Sequence, residues 1–253
     1  MERIDDLNLN GKKIIQDTDL FLFGMDSVLL ANMVKNTNKD TNILDLGTGS
    51  AVMPVILSEK VKCNKIIGIE LQEKMYNLAV KNIKLNELEG KVYAVKEDLK
   101  NIDSIRKHII DVTGKDTVDV VISNPPYKSK GTGTVNETDE KYIARHEVKC
   151  TLEDIFKTAS KLLKFKGKLY IVHKPERIAD LICIGRKYNL ELKTLIFLQP
   201  TKDKKPSIVL CEYVLGGGNE CTVLPAIIEY DDDGNYTNRI YEIYGMDEED
   251  KGE

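Results

Sequence analysis

The sequence predicts an α/β protein built on a doubly wound, seven-stranded, mostly parallel sheet with an antiparallel C-terminal hairpin. Two observations predict this fold. From residue 41 onward, short apolar runs alternate with longer amphipathic segments, which is typical of parallel strands connected by helices. The last two apolar runs of this region, 192–198 and 207–215, are joined by too few residues for a parallel crossover, so we expect them to pair antiparallel.

The first 40 residues are predicted to be a helical extension of this core. They show no clear periodicity before the short apolar stretch Leu20–Phe23. Asp26 and Ser27 then supply side-chain acceptors of the kind that cap a helix, and apolar residues continue the helix to Val34. We therefore expect a helix to precede the first strand of the sheet.

Residues 41–215 are predicted to be the Rossmann-like core. Its strand segments are short and rich in β-branched residues, as expected for strands buried on both faces. We assign strands to Asn42–Leu46, Lys65–Glu70, Val92–Val95, Thr117–Ser123, Lys168–Val172, Leu192–Leu198 and Ser207–Leu215. Amphipathic periodicity assigns helices to Ala51–Lys60, Gln72–Leu88, Ile102–Ile110, 151–163 and Arg177–Tyr188, of which the fourth is capped by Thr151.

Residues 216–253 are predicted to be a small β extension and an acidic tail, within a single domain that covers residues 1–253. Val223–Tyr230 and Tyr236–Tyr244 are separated by Asp-Gly turn chemistry, so we expect a hairpin. Met246–Glu253 carries five acids and one lysine, and residues 231–233 add three acids. The net charge of the chain is −4, and without these segments it is +3, which permits an RNA partner without requiring one.

The composition is that of a globular protein. Of the 253 residues, 42% are apolar and 31% are charged, which is enough to build an ordinary core. No apolar run is long enough to span a membrane and no signal-peptide pattern begins the chain, so we expect a cytoplasmic protein. The five scattered cysteines predict reduced thiols, and the three dispersed histidines predict no metal site. The oligomeric state stays open, with a monomer slightly favoured.

One buried strand segment ends in a stiff polar tip. The apolar run that begins at Asp119 stops at Asn124-Pro125-Pro126-Tyr127, and a proline has no N–H to offer a neighbouring strand. If the Asn124 side-chain oxygen and the Pro125 carbonyl each accept an N–H from a planar amino group, its nitrogen becomes more tetrahedral and more nucleophilic. Tyr127 can stack on the same group. The candidate catalytic residues are therefore Asn124, Pro125 and Tyr127; the alternative is a Pro-Pro turn that only closes a strand.

A polar residue ends each of the first four strand segments. In a doubly wound sheet these ends line one crevice. The candidates for cofactor binding are these four residues and the two glycines of the turn after the first strand, namely Asp45, Glu70, Asp98, Asn124, Gly47 and Gly49. Each has a structural alternative when it is taken singly: a helix cap for Asp45, surface charge for Glu70 and Asp98, and turn formation for the glycines.

The glycine turn narrows the choice of cofactor. A dinucleotide site needs a third glycine three positions after Gly49, where this chain has Val52, and a Walker lysine is absent as well. Glu70 follows the turn by about twenty residues, the usual distance of a carboxylate that binds ribose hydroxyls. S-adenosylmethionine fits best, because it has ribose and adenine but no pyrophosphate. Asp45 would orient its cationic methionine end, Glu70 its ribose and Asp98 its adenine amino group.

Several blocks of the sequence resemble a known family. The glycine turn after Asp45 and the tip at Asn124 resemble the class I amino-methyltransferases with an Asn-Pro-Pro-Tyr motif. More narrowly, the chain resembles the bacterial tRNA1(Val) adenine-N6 methyltransferases in Gln16–Leu30, 144–147, 151–154, His173–Arg177 and Tyr230–Gly245. This resemblance implies methyl transfer from S-adenosylmethionine to the adenine just 3′ of the anticodon. Ala51 departs from the family, whose members often have glycine there, and could weaken cofactor affinity.

Other functions stay open on the sequence alone. The Asn-Pro-Pro-Tyr motif is shared with enzymes that methylate protein glutamine, so it indicates the class of nucleophile and not the substrate. Such an enzyme would be supported by a separate N-terminal substrate domain, for which the 40 residues before the core leave little room. A non-catalytic RNA-binding relative is disfavoured by the intact Asn124 and Glu70. A nicotinamide oxidoreductase is disfavoured by Val52.

An RNA substrate would need basic residues near the tip. A base in an anticodon loop reaches Asn124 only if it is flipped out while the protein holds the neighbouring phosphates. The candidates for this contact are Lys128, Lys130, Arg145, Lys202, Lys204 and Lys205. The alternative for each is ordinary solvated surface charge. The polar stretch 128–149 is long for a loop in a compact domain, which predicts a functional lid or a disordered segment.

Overall fold

The computed structural model describes residues 1–126 and 150–246. Its strands are β1 (Glu2–Asp6), β2 (Lys13–Asp17), β3 (Asn42–Leu46), β4 (Lys65–Glu70), β5 (Val92–Lys96), β6 (Val118–Ser123), β7 (Leu163–His173), β8 (Leu190–Gln199), β9 (Ile208–Leu215), β10 (Thr222–Val223) and β11 (Ile227–Ile228). Its helices are α1 (Met25–Met33), α2 (Val52–Lys60), α3 (Glu73–Leu85), α4 (Ile102–Thr113), α5 (Leu152–Leu162), α6 (Ile178–Lys187) and α7 (Asn238–Tyr244). The predicted cap at Thr151 is confirmed, because its hydroxyl accepts the N–H of Asp154 at 3.2 Å.

The main sheet has nine strands in the order β10-β8-β9-β7-β6-β3-β4-β5, with β11 beside β8. Each strand is parallel to its neighbours within the series β5-β4-β3-β6-β7. Strand β9 is antiparallel to both β7 and β8. The predicted doubly wound sheet is thus confirmed, and the short strands β10 and β11 extend the seven that were expected. The strand order reverses beside β3, between β4 and β6, which is where open α/β sheets bind their ligands.

Apolar side chains cover both faces of the sheet, because neighbouring residues of a strand point to opposite faces. Ile43 of β3 packs in the layer that contains α1, α2 and α3, whereas the adjacent Leu44 packs in the layer that contains α4, α5 and α6. The carboxyl ends of the central strands are therefore held between two helical layers. None of the helices in the described part of the chain is long and apolar enough to cross a membrane.

The N-terminal segment differs from the predicted helical extension. Only α1 is helical, and β1 and β2 form a separate two-stranded antiparallel sheet. The turn between the two strands has positive φ at Asn8, Asn10 and Gly11, a conformation that Asn and Gly adopt more readily than other residues. The helix begins at Met25, one residue before Asp26, so the predicted capping residues lie inside its first turn.

Two asparagines of α3 and the turn after it hold β2 in place. The Asn82 side chain accepts the N–H of Ile15 at 2.7 Å and donates to its carbonyl at 3.0 Å. Asn86, four residues later, makes the same pair of bonds with Lys13, at 2.9 and 2.7 Å. The Asn82 amide also donates to the carbonyl of Ser50 at 2.9 Å. The two side-chain amides take the place of a neighbouring strand along the outer edge of β2. The sequence patterns of β2 and α3 do not predict this contact.

The C-terminal segment also differs from the prediction. Tyr236–Tyr244 was expected to be the second strand of a hairpin, but most of it forms α7, with Ile240 and Ile243 buried three residues apart on one face. Its tyrosines and isoleucines favour strands by composition, and packing against α1 overrides that preference. The turn itself is confirmed by a bridge between Tyr230 and Tyr236. Strands β10 and β11 pair with β8 in parallel.

Candidate active site

A cavity of about 330 Å³ opens at the carboxyl edge of the central strands. Its wall includes residues that follow β3, β4, β5 and β6, the strands at and beside the reversal of strand order. Of the predicted cofactor-binding residues, five line this cavity: Gly47, Gly49, Glu70, Asp98 and Asn124. Residues separated by almost eighty positions in sequence are therefore brought to one site, as the row of strand ends predicted.

The turn after β3 is a tight backbone loop. The N–H groups of Gly47 and Thr48 both donate to the carbonyl of Ile69 in β4, at 3.0 and 2.9 Å. Gly47 and Gly49 have φ values of 77° and 58°, in the left-handed region that suits glycine. Ala51 follows at a φ of 64°, immediately before α2. An alanine in this conformation is strained by about 1–2 kcal/mol.

Glu70 ends β4 on the cavity wall with only 6% of its surface exposed. One carboxylate oxygen accepts the N–H of Gly49 at 2.9 Å, and the other accepts the N–H of Gln72 at 2.8 Å. Two backbone donors of different loops therefore fix the carboxylate beside the glycine turn. This geometry agrees with the predicted position of a carboxylate that receives ribose hydroxyls.

Asp45 differs from the other predicted cofactor-binding residues, because its side chain is fully buried and does not line the cavity. The hydroxyl of Thr48, which does line the cavity, donates to Asp45 Oδ2 at 2.7 Å. Burial raises the pKa of the Asp45 carboxyl to about 7. Asp45 therefore holds Thr48 and the turn in place, and its contact with the methionine end of the cofactor stays a prediction.

Gly68 is a site residue that the sequence analysis did not identify. It lies in β4 opposite Asp45, and a β-carbon there would come within 2.6 Å of the Thr48 hydroxyl and 2.8 Å of its Cβ. Only glycine leaves room for the Thr48 side chain between the two strands. The available signal was an isolated glycine inside an otherwise apolar strand, which often marks a close approach of another part of the chain.

Two acids follow β5 on the cavity wall. Asp98 is partly exposed, and its carboxylate accepts the N–H of Lys100 at 2.9 Å. Glu97, which the sequence analysis did not select, accepts the N–H of Asp98 at 2.8 Å and a hydrogen bond from the Ser104 hydroxyl. The Ser104 hydroxyl is the main reason why the pKa of Glu97 is lowered. Asp98 is thus held at the cavity, where the sequence placed it.

The tip after β6 forms another part of the wall. Asn124, Pro125 and Pro126 all line the cavity. The Asn124 side-chain amide donates through Nδ2 to the hydroxyl of Ser27 at 2.9 Å. The Ser123 hydroxyl donates to the carbonyl of Leu46 in β3 at 2.8 Å and ties the tip to the glycine turn. Four predicted site residues lie outside the described part of the chain: Tyr127, Lys128, Lys130 and Arg145.

The wall beside the tip comes from the segment around α1 and from the residue after β7. Phe21, with 49% of its surface exposed, lines the cavity together with Phe23, Asp26, Ser27 and Lys174. Burial raises the pKa of the Asp26 carboxyl. None of these residues was predicted from the sequence to belong to the site. The only signal was the short apolar stretch Leu20–Phe23, which belongs to neither a regular helix nor a strand.

The predicted RNA-binding lysines of the later turn lie at the same edge of the sheet. Leu198 pairs with Ile208 across the β8–β9 connection, and Val209 pairs with His173 at the end of β7. Lys202, Lys204 and Lys205 are exposed on this connection. The Lys202 ammonium lies 2.6 Å from an Asp232 carboxylate oxygen, so an RNA phosphate would have to replace this ion pair.

The fold and the cavity together define a Rossmann-like methyltransferase. The family comparison makes this assignment more specific: the model of the methyltransferase small domain matches residues 24–182, and the chain belongs to that family. The match includes α1 and extends through α5 into α6.

Two relatives illustrate the range of substrates around this chain. A tRNA1(Val) (adenine(37)-N6)-methyltransferase of Porphyromonas gingivalis is 25% identical over 170 residues, which are 67% of this chain and 64% of the relative. The chain therefore covers somewhat less than two thirds of that protein. A release factor glutamine methyltransferase of Fusobacterium nucleatum is 32% identical over 93 residues, 36% of this chain and 23% of the relative.

Solved structures agree with the fold. A predicted O-methyltransferase, protein Atu636 from Agrobacterium tumefaciens, superposes with a TM-score of 0.68 at 18% identity and covers 88% of this chain and 97% of its own. M. jannaschii TYW2 in complex with AdoMet superposes with a TM-score of 0.54 at 16% identity, over 84% of this chain and 85% of its own. At these identities the likeness concerns the fold alone.

Proposed function

We propose that this chain transfers a methyl group from S-adenosylmethionine to the exocyclic N6 amino group of an adenine in tRNA. The observation that carries the proposal is the Asn124-Pro125-Pro126 tip on the wall of the same cavity as the glycine turn and Glu70. Membership of the methyltransferase small domain family and the relative from P. gingivalis support it. By analogy with that relative, the target is the adenine at position 37 of tRNA1(Val).

The cavity residues fit the expected cofactor. An ionised carboxylate offers about four acceptor positions, so Glu70 can receive ribose hydroxyls beside its two backbone N–H donors. The left-handed φ of Gly47 and Gly49 brings backbone without side chains to the cavity wall. Asp98 can accept from the adenine amino group. S-adenosylmethionine supplies a methyl group on a positively charged sulfur.

The tip acts on the target nitrogen in this proposal. The amino group of adenine is a weak nucleophile because its lone pair is delocalised into the ring. If Asn124 Oδ1 and the Pro125 carbonyl oxygen each accept one N–H, the nitrogen is pulled towards tetrahedral geometry and its lone pair faces the methyl group. The nitrogen would bond to the methyl carbon as the methyl–sulfur bond breaks, the sulfur would leave as a neutral thioether, and the nitrogen would lose one proton to solvent. Burial raises the pKa of the Cys150 thiol, which is also on the wall, to about 12.

Methylation of a protein glutamine is the second candidate. The tip suits any planar amino group, and the F. nucleatum relative, whose name says that it methylates a release factor glutamine, matches 36% of this chain. The tRNA relative from P. gingivalis matches 67% of the chain. The longer match and the exposed lysines beside the cavity edge favour RNA.

The decisive experiment offers both substrates to the purified chain. S-adenosylmethionine with a labelled methyl group is incubated with bulk tRNA and, separately, with bulk protein, and the modified residue is identified by mass spectrometry. We expect N6-methyladenosine in tRNA, and no label after Asn124→Ala. A tRNA1(Val) transcript with guanine at position 37 is the matched substrate control and should stay unlabelled. Label on a protein glutamine would select the second candidate, and label on neither would reject both.

A further inference from the structure

The first turn of α1 contacts the tip through one buried hydroxyl. Ser27 has 4% of its surface exposed, and its Oγ accepts the hydrogen bond from Asn124 Nδ2 at 2.9 Å. Both residues line the cavity. They are 97 positions apart in sequence, so the contact depends on the packing of α1 against the sheet.

Asn124 needs such a contact, because the torsion of its amide group has a broad, roughly two-fold energy profile and does not fix the group by itself. The Ser27 hydroxyl, which can donate as well as accept, holds the amide plane against the first turn of α1.

We propose that Ser27 is a positioning residue, which hydrogen-bonds the Asn124 side chain and so holds its amide group at the cavity wall, where Oδ1 meets the target nitrogen. The inference rests on the proposed role of Asn124 and applies to an adenine or a glutamine target alike. Ser27 acts on the reaction through Asn124.

The surroundings of Ser27 make it suitable for this role. Its N–H donates to the carbonyl of Gly24 at 3.2 Å, and the next three residues of α1, 28–30, are buried in the apolar layer. On the other side, the Ser123 hydroxyl bond to Leu46 fixes the backbone just before Asn124. The backbones on both sides of the Ser27–Asn124 contact are therefore anchored.

The first test removes and restores the hydroxyl. Ser27→Ala should lower the single-turnover methylation rate by tenfold or more, while the affinity for S-adenosylmethionine, measured by calorimetry, stays within twofold. Ser27→Thr, which keeps the hydroxyl, should recover most of the rate. Ser58→Ala is the matched control: Ser58 is a buried helical serine whose hydroxyl donates to Val55 in its own helix at 2.7 Å. This control should keep the wild-type rate. A wild-type rate in Ser27→Ala would overturn the proposal.

The second test needs no substrate and separates this inference from the proposed function. In ¹⁵N-labelled protein, the side-chain NH₂ signal of Asn124 is identified by its loss in Asn124→Asp. Its hydrogen exchange should be at least tenfold faster in Ser27→Ala than in wild type and unchanged in Ser58→Ala. Unchanged exchange in Ser27→Ala would overturn the inference. Absence of RNA methylation by the wild-type protein, with the NH₂ group protected by Ser27, would reject only the proposed function.

Discussion

Replacing Asp45 by asparagine should change how the stability of this protein depends on pH. The carboxyl group is fully buried, and in the described part of the chain Oδ1 has no hydrogen-bond partner, while Oδ2 accepts from Thr48. Burial, reinforced by the charge of Glu70, raises its pKa from 3.8 to about 7, although the Thr48 bond opposes the shift. An asparagine side chain would keep the shape of the aspartate and remove its titration.

The direction of this pH dependence follows from which state of the chain, folded or unfolded, binds the proton more tightly. Between about pH 4 and pH 7 the folded chain holds a proton on Asp45 that the unfolded chain has lost, so stability falls as pH rises through this window. A shift of about three pKa units at 1.36 kcal/mol each amounts to about 4 kcal/mol by pH 8. Below pH 4 both states are protonated and the penalty vanishes.

Urea unfolding of the wild type and of Asp45→Asn at pH 4.5, 6, 7 and 8 measures this effect. The amide exchanges an acceptor for a donor, so the absolute stabilities will differ by a constant, and the informative quantity is the difference between the two proteins at each pH. We expect the unfolding free energy of the variant, relative to that of the wild type, to rise by several kcal/mol between pH 4.5 and 8. A difference that stays the same across this range would refute the assignment of a raised pKa to Asp45.

Four further substitutions test other residues of the site and its supports. Gly68→Ala should force Thr48 aside, lower stability by about 1–3 kcal/mol in urea unfolding and weaken cofactor binding in calorimetry; unchanged values for both would show that the strands can spread. Ala51→Gly should raise the unfolding free energy by about 0.5 kcal/mol, because relief of the left-handed strain exceeds the cost of the added entropy of the unfolded chain. A lower unfolding free energy in this variant would contradict the prediction. Asn82→Ala should cost about 2–3 kcal/mol, because it leaves buried backbone groups without partners, and a cost below about 0.5 kcal/mol would show that water replaces the amide. Glu70→Ala should lower S-adenosylmethionine affinity tenfold or more with the fold intact, and unchanged affinity would remove this carboxylate from the site.

The sequence predicted the site best at the strand ends, where a change in local pattern also marks the residues that line the cavity. Strand ends are marked by the change from apolar to polar residues, so Glu70, Asp98 and Asn124 could be placed in one crevice from the sequence alone. Parallel order follows from the alternating helices, and that order brings the ends together. The same logic also placed Asp45 in the crevice, but it predicts a strand end and not the direction of one side chain, and the structure buries this carboxyl behind Thr48.

Tertiary packing decides the features that the sequence did not predict. Ser27 meets Asn124 only because α1 packs across the sheet, and no spacing in the sequence encodes that contact. The hairpin of β1 and β2 depends on Asn82 and Asn86, which lie 67 and 73 positions from the β2 residues that they bind. The helix at 238–244 has the composition of a strand. Its two buried isoleucines are three residues apart, and packing against α1 favours the helix that this spacing suits.

The antiparallel direction of β9 gives the fold a surface connection, residues 200–207, that can change independently of the glycine turn. Because β9 runs against its neighbours, the connection at 200–207 returns to the edge of the sheet that carries the tip, yet it contributes nothing to the glycine turn. Each doubling of a flexible loop costs only about 0.6 kcal/mol, so this connection can vary in length and charge at little expense to stability. If its lysines bind the substrate as predicted, substrate recognition can diverge between family members while the methyl-donor site stays the same. Grafting this connection between family members would test whether it carries the target specificity.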